Sequence, residues 1–119
     1  MKTIEQERAY FALRCVEKVK TKNKEVKEKY KRNAKRLPAL LTSNGLASTL
    51  AFLKSKSETE TLYKDVEEWL KKREIVKNNK SALEYCLEIP TSQYRVITSE
   101  AIAFSQWLKR MVEVELKEE

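Results

Sequence analysis

The sequence predicts an all-α fold: a single-domain compact bundle of about six helices spanning 1–119. Three observations carry that prediction. The 119 residues include one glycine and two prolines, too few for the many turns of an all-β domain. Apolar residues recur at steps of three and four along most of the chain. Charged residues make up 36% and hydrophobic ones 41%, a composition suited to packed amphipathic helices.

The elements follow in order. A first helix starts after Thr3, with Thr3 and Gln6 forming a capping box. Its apolar stripe is Ile4, Phe11, Ala12, Cys15, Val16 and Val19, interrupted by Arg8 on the same face. An arginine in that place either pairs in an interface or snorkels to the edge, and the second is the commoner. The helix fades at Thr21-Lys22-Asn23. A second helix covers about Lys24 to Lys35, with the narrow stripe Val26, Tyr30, Ala34 and Leu37. Pro38 should kink or restart it, since proline disfavours helical geometry at the residue before it. A short apolar helix then ends at Ser43-Asn44-Gly45, where the lone glycine turns a helical corner.

The third major helix runs from Leu46 to about Lys56. Ser57 and Glu60 read as a second capping box, opening a helix with the stripe Leu62, Val66, Trp69 and Leu70 beside Tyr63. That helix should end near Val76-Lys77. Ser81 and Glu84 read as a third box for a short helix with Ala82, Leu83, Cys86 and Leu87 inward, stopped by Pro90. Thr91 reads as the cap of the last element. From Tyr94 to Leu116 apolar residues cover more than half the girth, as expected of a central helix. Thr98-Ser99-Glu100 is a candidate break within it.

The net charge of +7 is local. Residues 17–36 carry ten basic and three acidic residues, and the other 99 balance at fifteen against fifteen. Concentrated positive charge suits a surface facing a polyanion. Lys31, Arg32, Lys35 and Arg36 form its densest cluster, and Lys18, Lys22 and Lys29 join it on charge density. Such side chains contact phosphates rather than read bases. Tyr30 lies among them but by spacing belongs to the buried stripe. Taken alone, Lys109 and Arg110 read as ordinary helix surface, Lys109 pairing with Glu113. A helix-turn-helix at Asn44-Gly45 is poorly supported, because Leu46 to Leu53 offers no charged or amide side chain to a major groove.

Catalytic chemistry finds little to use. There is no histidine, so the commonest general base and metal ligand are missing. Cys15 and Cys86 read as small core residues and cannot together make a zinc site. One glycine makes no phosphate-cradling loop. The carboxylate pairs Glu84/Glu88 and Asp65/Glu68 read as solvated surface. The sequence thus predicts no enzyme, no cofactor and no metal. No apolar run approaches a membrane span, nothing at the N-terminus marks export, and two cysteines suit a reducing cytoplasm.

Three stretches carry a resemblance. They are Arg8-Ala9-Tyr10-Phe11-Ala12 with Val16; Leu37-Pro38-Ala39-Leu40-Leu41 with Asn44-Gly45-Leu46-Ala47 and Leu50-Ala51-Phe52-Leu53; and Tyr94-Arg95 with Thr98-Ser99-Glu100-Ala101 and Trp107-Leu108-Lys109-Arg110. In their order and spacing the chain resembles the small all-helical subunit of the Cmr complex, the type III-B CRISPR RNA-guided effector. The resemblance implies a non-catalytic subunit that stacks in copies along a ribonucleoprotein filament. It implies backbone and large subunits as neighbours, and guide and target RNA in the channel alongside, in antiviral defence. Target cleavage is implied for the backbone subunit. Arg8, Lys35, Arg36, Lys109 and Arg110 fall within or beside the matching stretches and become candidates for RNA contact. The competing reading is a helical protein interaction module with no nucleic-acid role.

Overall fold

The computed structural model describes residues 1–117, and no strand occurs among them. Six α-helices follow in order: α1 Ile4–Lys20, α2 Lys24–Asn44, α3 Leu46–Ser55, α4 Glu60–Lys72, α5 Ala82–Glu88 and α6 Thr91–Glu115. They pack round one core. α6 is its axis, lying against α1, α2 and α4. It runs parallel to α1, because Arg8 meets Glu100 near one end and Lys20 meets Glu115 near the other. It runs antiparallel to α2: the Lys31 ammonium donates to the Leu116 carbonyl, while Tyr94 accepts from the Ala47 amide just beyond the far end of α2.

Local chemistry sets most boundaries. The Thr3–Gln6 capping box opens α1, and the Asn23 side chain accepts from the Val26 amide to open α2. Gly45 ends α2 and starts α3 at φ 86°, ψ 166°, a backbone region almost reserved for glycine. An added Cβ would meet nothing closer than the Tyr94 hydroxyl at 4.0 Å, so the obstacle to a side chain is backbone strain. Gly45→Ala is therefore expected to lower stability by about 1–3 kcal/mol in urea unfolding. No measurable change would mean the corner is not held as described.

Several boundaries differ from the sequence reading. α2 does not stop at Lys35 or restart at Pro38; it runs unbroken through Pro38 to Asn44. The proline ring leaves the Ala34 carbonyl without its usual donor. Burial of Ala34, Leu37 and Leu41 on the same face holds the helix together across that gap. Val26 is largely exposed and lies off the buried stripe, which continues instead through Asn33 and Leu41. Ser57 caps nothing. The Thr59 hydroxyl donates back to the Leu53 and Lys56 carbonyls and folds Ser57–Thr59 into a 3-10 turn.

α4 ends earlier than expected, at Lys72. Glu74 takes φ 61°, and the Glu74 and Ile75 amides bond back to Lys71 and Leu70, a Schellman closure built without glycine. Ser81 does cap α5, but Leu87 points outward. Pro90, not Thr91, holds the capping position of α6. No break occurs at Thr98-Ser99-Glu100, where the Thr98 hydroxyl folds back onto the Tyr94 carbonyl and the helix continues.

Two polar junctions cross the core. Glu100 on α6 accepts from Arg8 Nε at 2.6 Å and Nη2 at 2.9 Å, and from Trp69 Nε1 at 2.9 Å. Burial would raise this carboxyl, but the hydrogen bonds from Arg8 and Trp69 and the charges of Arg8 and Arg73 outweigh it and hold it below the usual range. Trp69 stacks on Phe104 at 5.5 Å, and Phe11 packs against both rings. The second junction is Asp65, which is 5% exposed and accepts from the Tyr30 hydroxyl at 2.7 Å. The sequence reading puts Asp65 among solvated carboxylates; its position on the inner face of α4 places it inside. Cys15 and Cys86 are buried as expected, and burial pushes both thiols up.

Candidate nucleic-acid interface

The buried stripe of α2 fixes what its other side presents. With Tyr30, Asn33, Ala34, Leu37 and Leu41 inward, the helical repeat turns Arg32, Lys35 and Arg36 outward. All three are exposed. From Lys29 to Ser57 the chain carries seven basic residues and no acid. The helix therefore supplies no local partner for Lys35 and Arg36, and neither forms an ion pair among the described residues.

The N-terminal half of α2 is different. Lys24 pairs with Glu28 and Lys29 with Glu25, each one turn apart. The Glu25 bond raises the Lys29 ammonium above its ordinary range. Arg32 donates to Glu58 at 3.0 Å, and Asn33 shares that carboxylate. Lys31 is half-buried against the Leu116 carbonyl. Four cations of α2, Lys27, Lys31, Lys35 and Arg36, have no carboxylate partner among the described residues, and of these Lys35 and Arg36 are the exposed ones.

In the antiparallel register set by Lys31–Leu116 and Ala47–Tyr94, Lys35 and Lys109 stand within about one turn of each other along the two helices. Lys109 and Arg110 are exposed. Lys109 makes no pair with Glu113 within salt-bridge distance, contrary to the surface reading, and the Arg110 guanidinium lies 5.6 Å from the Trp107 ring centroid. Lys18 and Lys22 are exposed, near the C-terminal end of α1 and in the turn after it.

Arg8 is apart from all of these. Its guanidinium is committed to Glu100 and its side chain is 16% exposed, so it is an internal pairing residue rather than one that snorkels. Tyr30 is buried with its hydroxyl on Asp65, leaving no ring face for a base. Sequence reasoning missed Lys54 and Lys56. Both are exposed beyond the end of α2 in the same acid-free run, and that run is the signal that marks them. Among the described residues no group of acidic, cysteine or histidine side chains is arranged to hold a metal. No described helix is long and apolar enough to cross a membrane.

Comparison with known proteins agrees with this architecture. The family described as CRISPR-associated protein (Cas_Cmr5) matches residues 4–115. The fold is similar to the X-ray crystal structure of a CRISPR-associated Cmr5 family protein from Thermus thermophilus. The match covers 98% of this chain and 100% of that one, at 27% sequence identity and a TM-score of 0.82.

Proposed function

The chain belongs to the CRISPR-associated Cas_Cmr5 family, and from that premise we propose that it is a non-catalytic subunit walling the guide and target RNA channel of its effector. Family membership makes it a subunit of a Cmr complex. The observation that carries the RNA reading is the exposed, unpaired Lys35 and Arg36 on the outer face of α2, inside an acid-free run. Lys109 stands level with them, and Arg110, Arg32, Lys54 and Lys56 extend the field. Side chains of this kind hold phosphates and leave the bases to the pairing of guide with target. Lys18, Lys22, Lys29 and Lys31 contribute to the surrounding potential, and Arg8 is left to its internal role. Copies of the chain stack beside the backbone and large subunits, in the cytoplasm, and the chemistry of target cleavage lies with another subunit.

The paired N-terminal half of α2 favours a different role for its charges. Lys24–Glu28 and Lys29–Glu25 hold the helix and keep it soluble, as a protein interaction module would need. The two readings separate in one experiment. In a reconstituted complex, replacing Lys35, Arg36, Lys109 and Arg110 by glutamine is expected to leave assembly intact and weaken target RNA binding at least about tenfold at physiological salt. Unchanged RNA affinity in a fully assembled complex would leave only the interaction module.

A further inference from the structure

Towards the N-terminal end of α6, on the same outer face as Arg110 but more than two turns away along the axis, lies an open cleft lined by Arg8, Arg73, Ile75, Arg95, Val96, Ser99 and Glu100. Three arginines and one carboxylate, Glu100, line it. Arg8 neutralises Glu100, which leaves Arg73 and Arg95 in excess. Neither forms an ion pair among the described residues. Arg73 Nε is shut off from solvent with no acceptor among them, a condition that destabilises the free chain. The Schellman turn at Glu74, with a non-glycine residue at φ 61°, sets Arg73 and Ile75 in this place.

The geometry points to a carboxylate-docking cleft, in which Arg73, Arg95 and Ser99 receive an aspartate or glutamate side chain of a neighbouring subunit. The inference rests on the chain's place in a multi-subunit complex. Planar guanidiniums match carboxylates in bidentate fashion, and the site already seats one, Glu100, against Arg8. The surroundings favour protein over RNA. Val96 is 58% exposed and, with Ile75, gives the cleft an apolar lip. Both residues continue into an adjoining hollow with Tyr85 and Ile97, which Glu74 also lines. Arginine is among the residues enriched in protein interfaces.

The test displaces labelled wild-type chain from the reconstituted complex with unlabelled variants. Arg95→Glu is expected to compete on the order of a hundredfold more weakly than wild type. Arg73→Ala should fall in the same direction and Arg95→Lys only part of the way. Arg95 is exposed and makes no bond inside the described chain, so the thermal melt of Arg95→Glu should match wild type and excludes misfolding. A photo-crosslinking phenylalanine in place of Val96 should join a segment of one other subunit that contains Asp or Glu. Equal competition by Arg95→Glu overturns the inference. So does a loss of RNA affinity with incorporation unchanged, or crosslinking to RNA alone, either of which makes the cleft a phosphate site. Wild-type chain that never enters the complex would instead sink the subunit reading itself.

Discussion

Trp69→Ala is expected to lower the stability of the free chain by about 3–5 kcal/mol, the usual loss for a large aromatic removed from a core. Domains of this size hold only about 5–15 kcal/mol in total. The melting temperature should therefore fall by roughly 10–25 °C. Three losses coincide at this site. The indole is fully buried, it stacks on Phe104 and packs against Phe11, and its loss leaves Glu100 with one donor fewer. Glu100→Ala tests the polar part separately. It strands Arg8 and Trp69 Nε1 together, and breaking a largely buried pair from one side costs about 3–5 kcal/mol. The two effects should be less than additive in the double variant, because they share a hydrogen bond. Thermal denaturation followed by circular dichroism reads all three. A Trp69→Ala protein that melts together with wild type would mean that α1, α4 and α6 do not meet at this junction.

Asp65→Asn is expected to change how stability depends on pH. Burial pushes this carboxyl from its ordinary 3.8 to about 6, against the opposing hydrogen bond from Tyr30 and the charge of Lys18. The folded chain therefore holds a proton that the unfolded chain has already released between those values. Stability from this group is greatest below about pH 4, falls as pH rises to about 6, and is level above. Roughly two pH units at ~1.36 kcal/mol each give a decline of about 3 kcal/mol. Glu100 runs the opposite way: its depressed pKa adds stability as pH rises. The comparison must therefore be between wild type and variant. The amide of the variant cannot ionise, so its stability at about pH 7 relative to about pH 4 should exceed the wild-type difference by about 3 kcal/mol. Parallel curves for the two proteins would show that Asp65 reaches water.

What the sequence revealed and what it hid divide by distance along the chain. Thr3 and Gln6 lie three residues apart, and Asn44 and Gly45 are neighbours, so their roles are readable from local rules. The core stripes of α1 and α4 are equally plain, being repeats of three and four. Pro38 misleads because a local rule predicts a stop, and packing by Leu37 and Leu41 overrides it. Glu100 is 92 residues from Arg8, and Asp65 is 35 from Tyr30; no spacing rule connects either pair. In the sequence Glu100 reads as part of a helix break and Asp65 as surface, each for want of a visible partner. Along α2 the surplus of positive charge can be seen from composition. Its narrowing to Lys35 and Arg36 cannot, because Glu58 reaches Arg32 only through the fold.

The most direct test of the RNA-facing wall is the salt dependence of target RNA affinity. It should be measured for reconstituted complexes with wild-type chain and with Lys35→Gln/Arg36→Gln chain. Each phosphate contact contributes about 0.7–0.9 to the slope of log affinity against log salt. If both side chains sit on phosphates, the variant slope should be shallower by about 1.4–1.8 for each copy of the chain on the RNA. Identical slopes, with the variant chain fully incorporated, would contradict the assignment of this face to RNA.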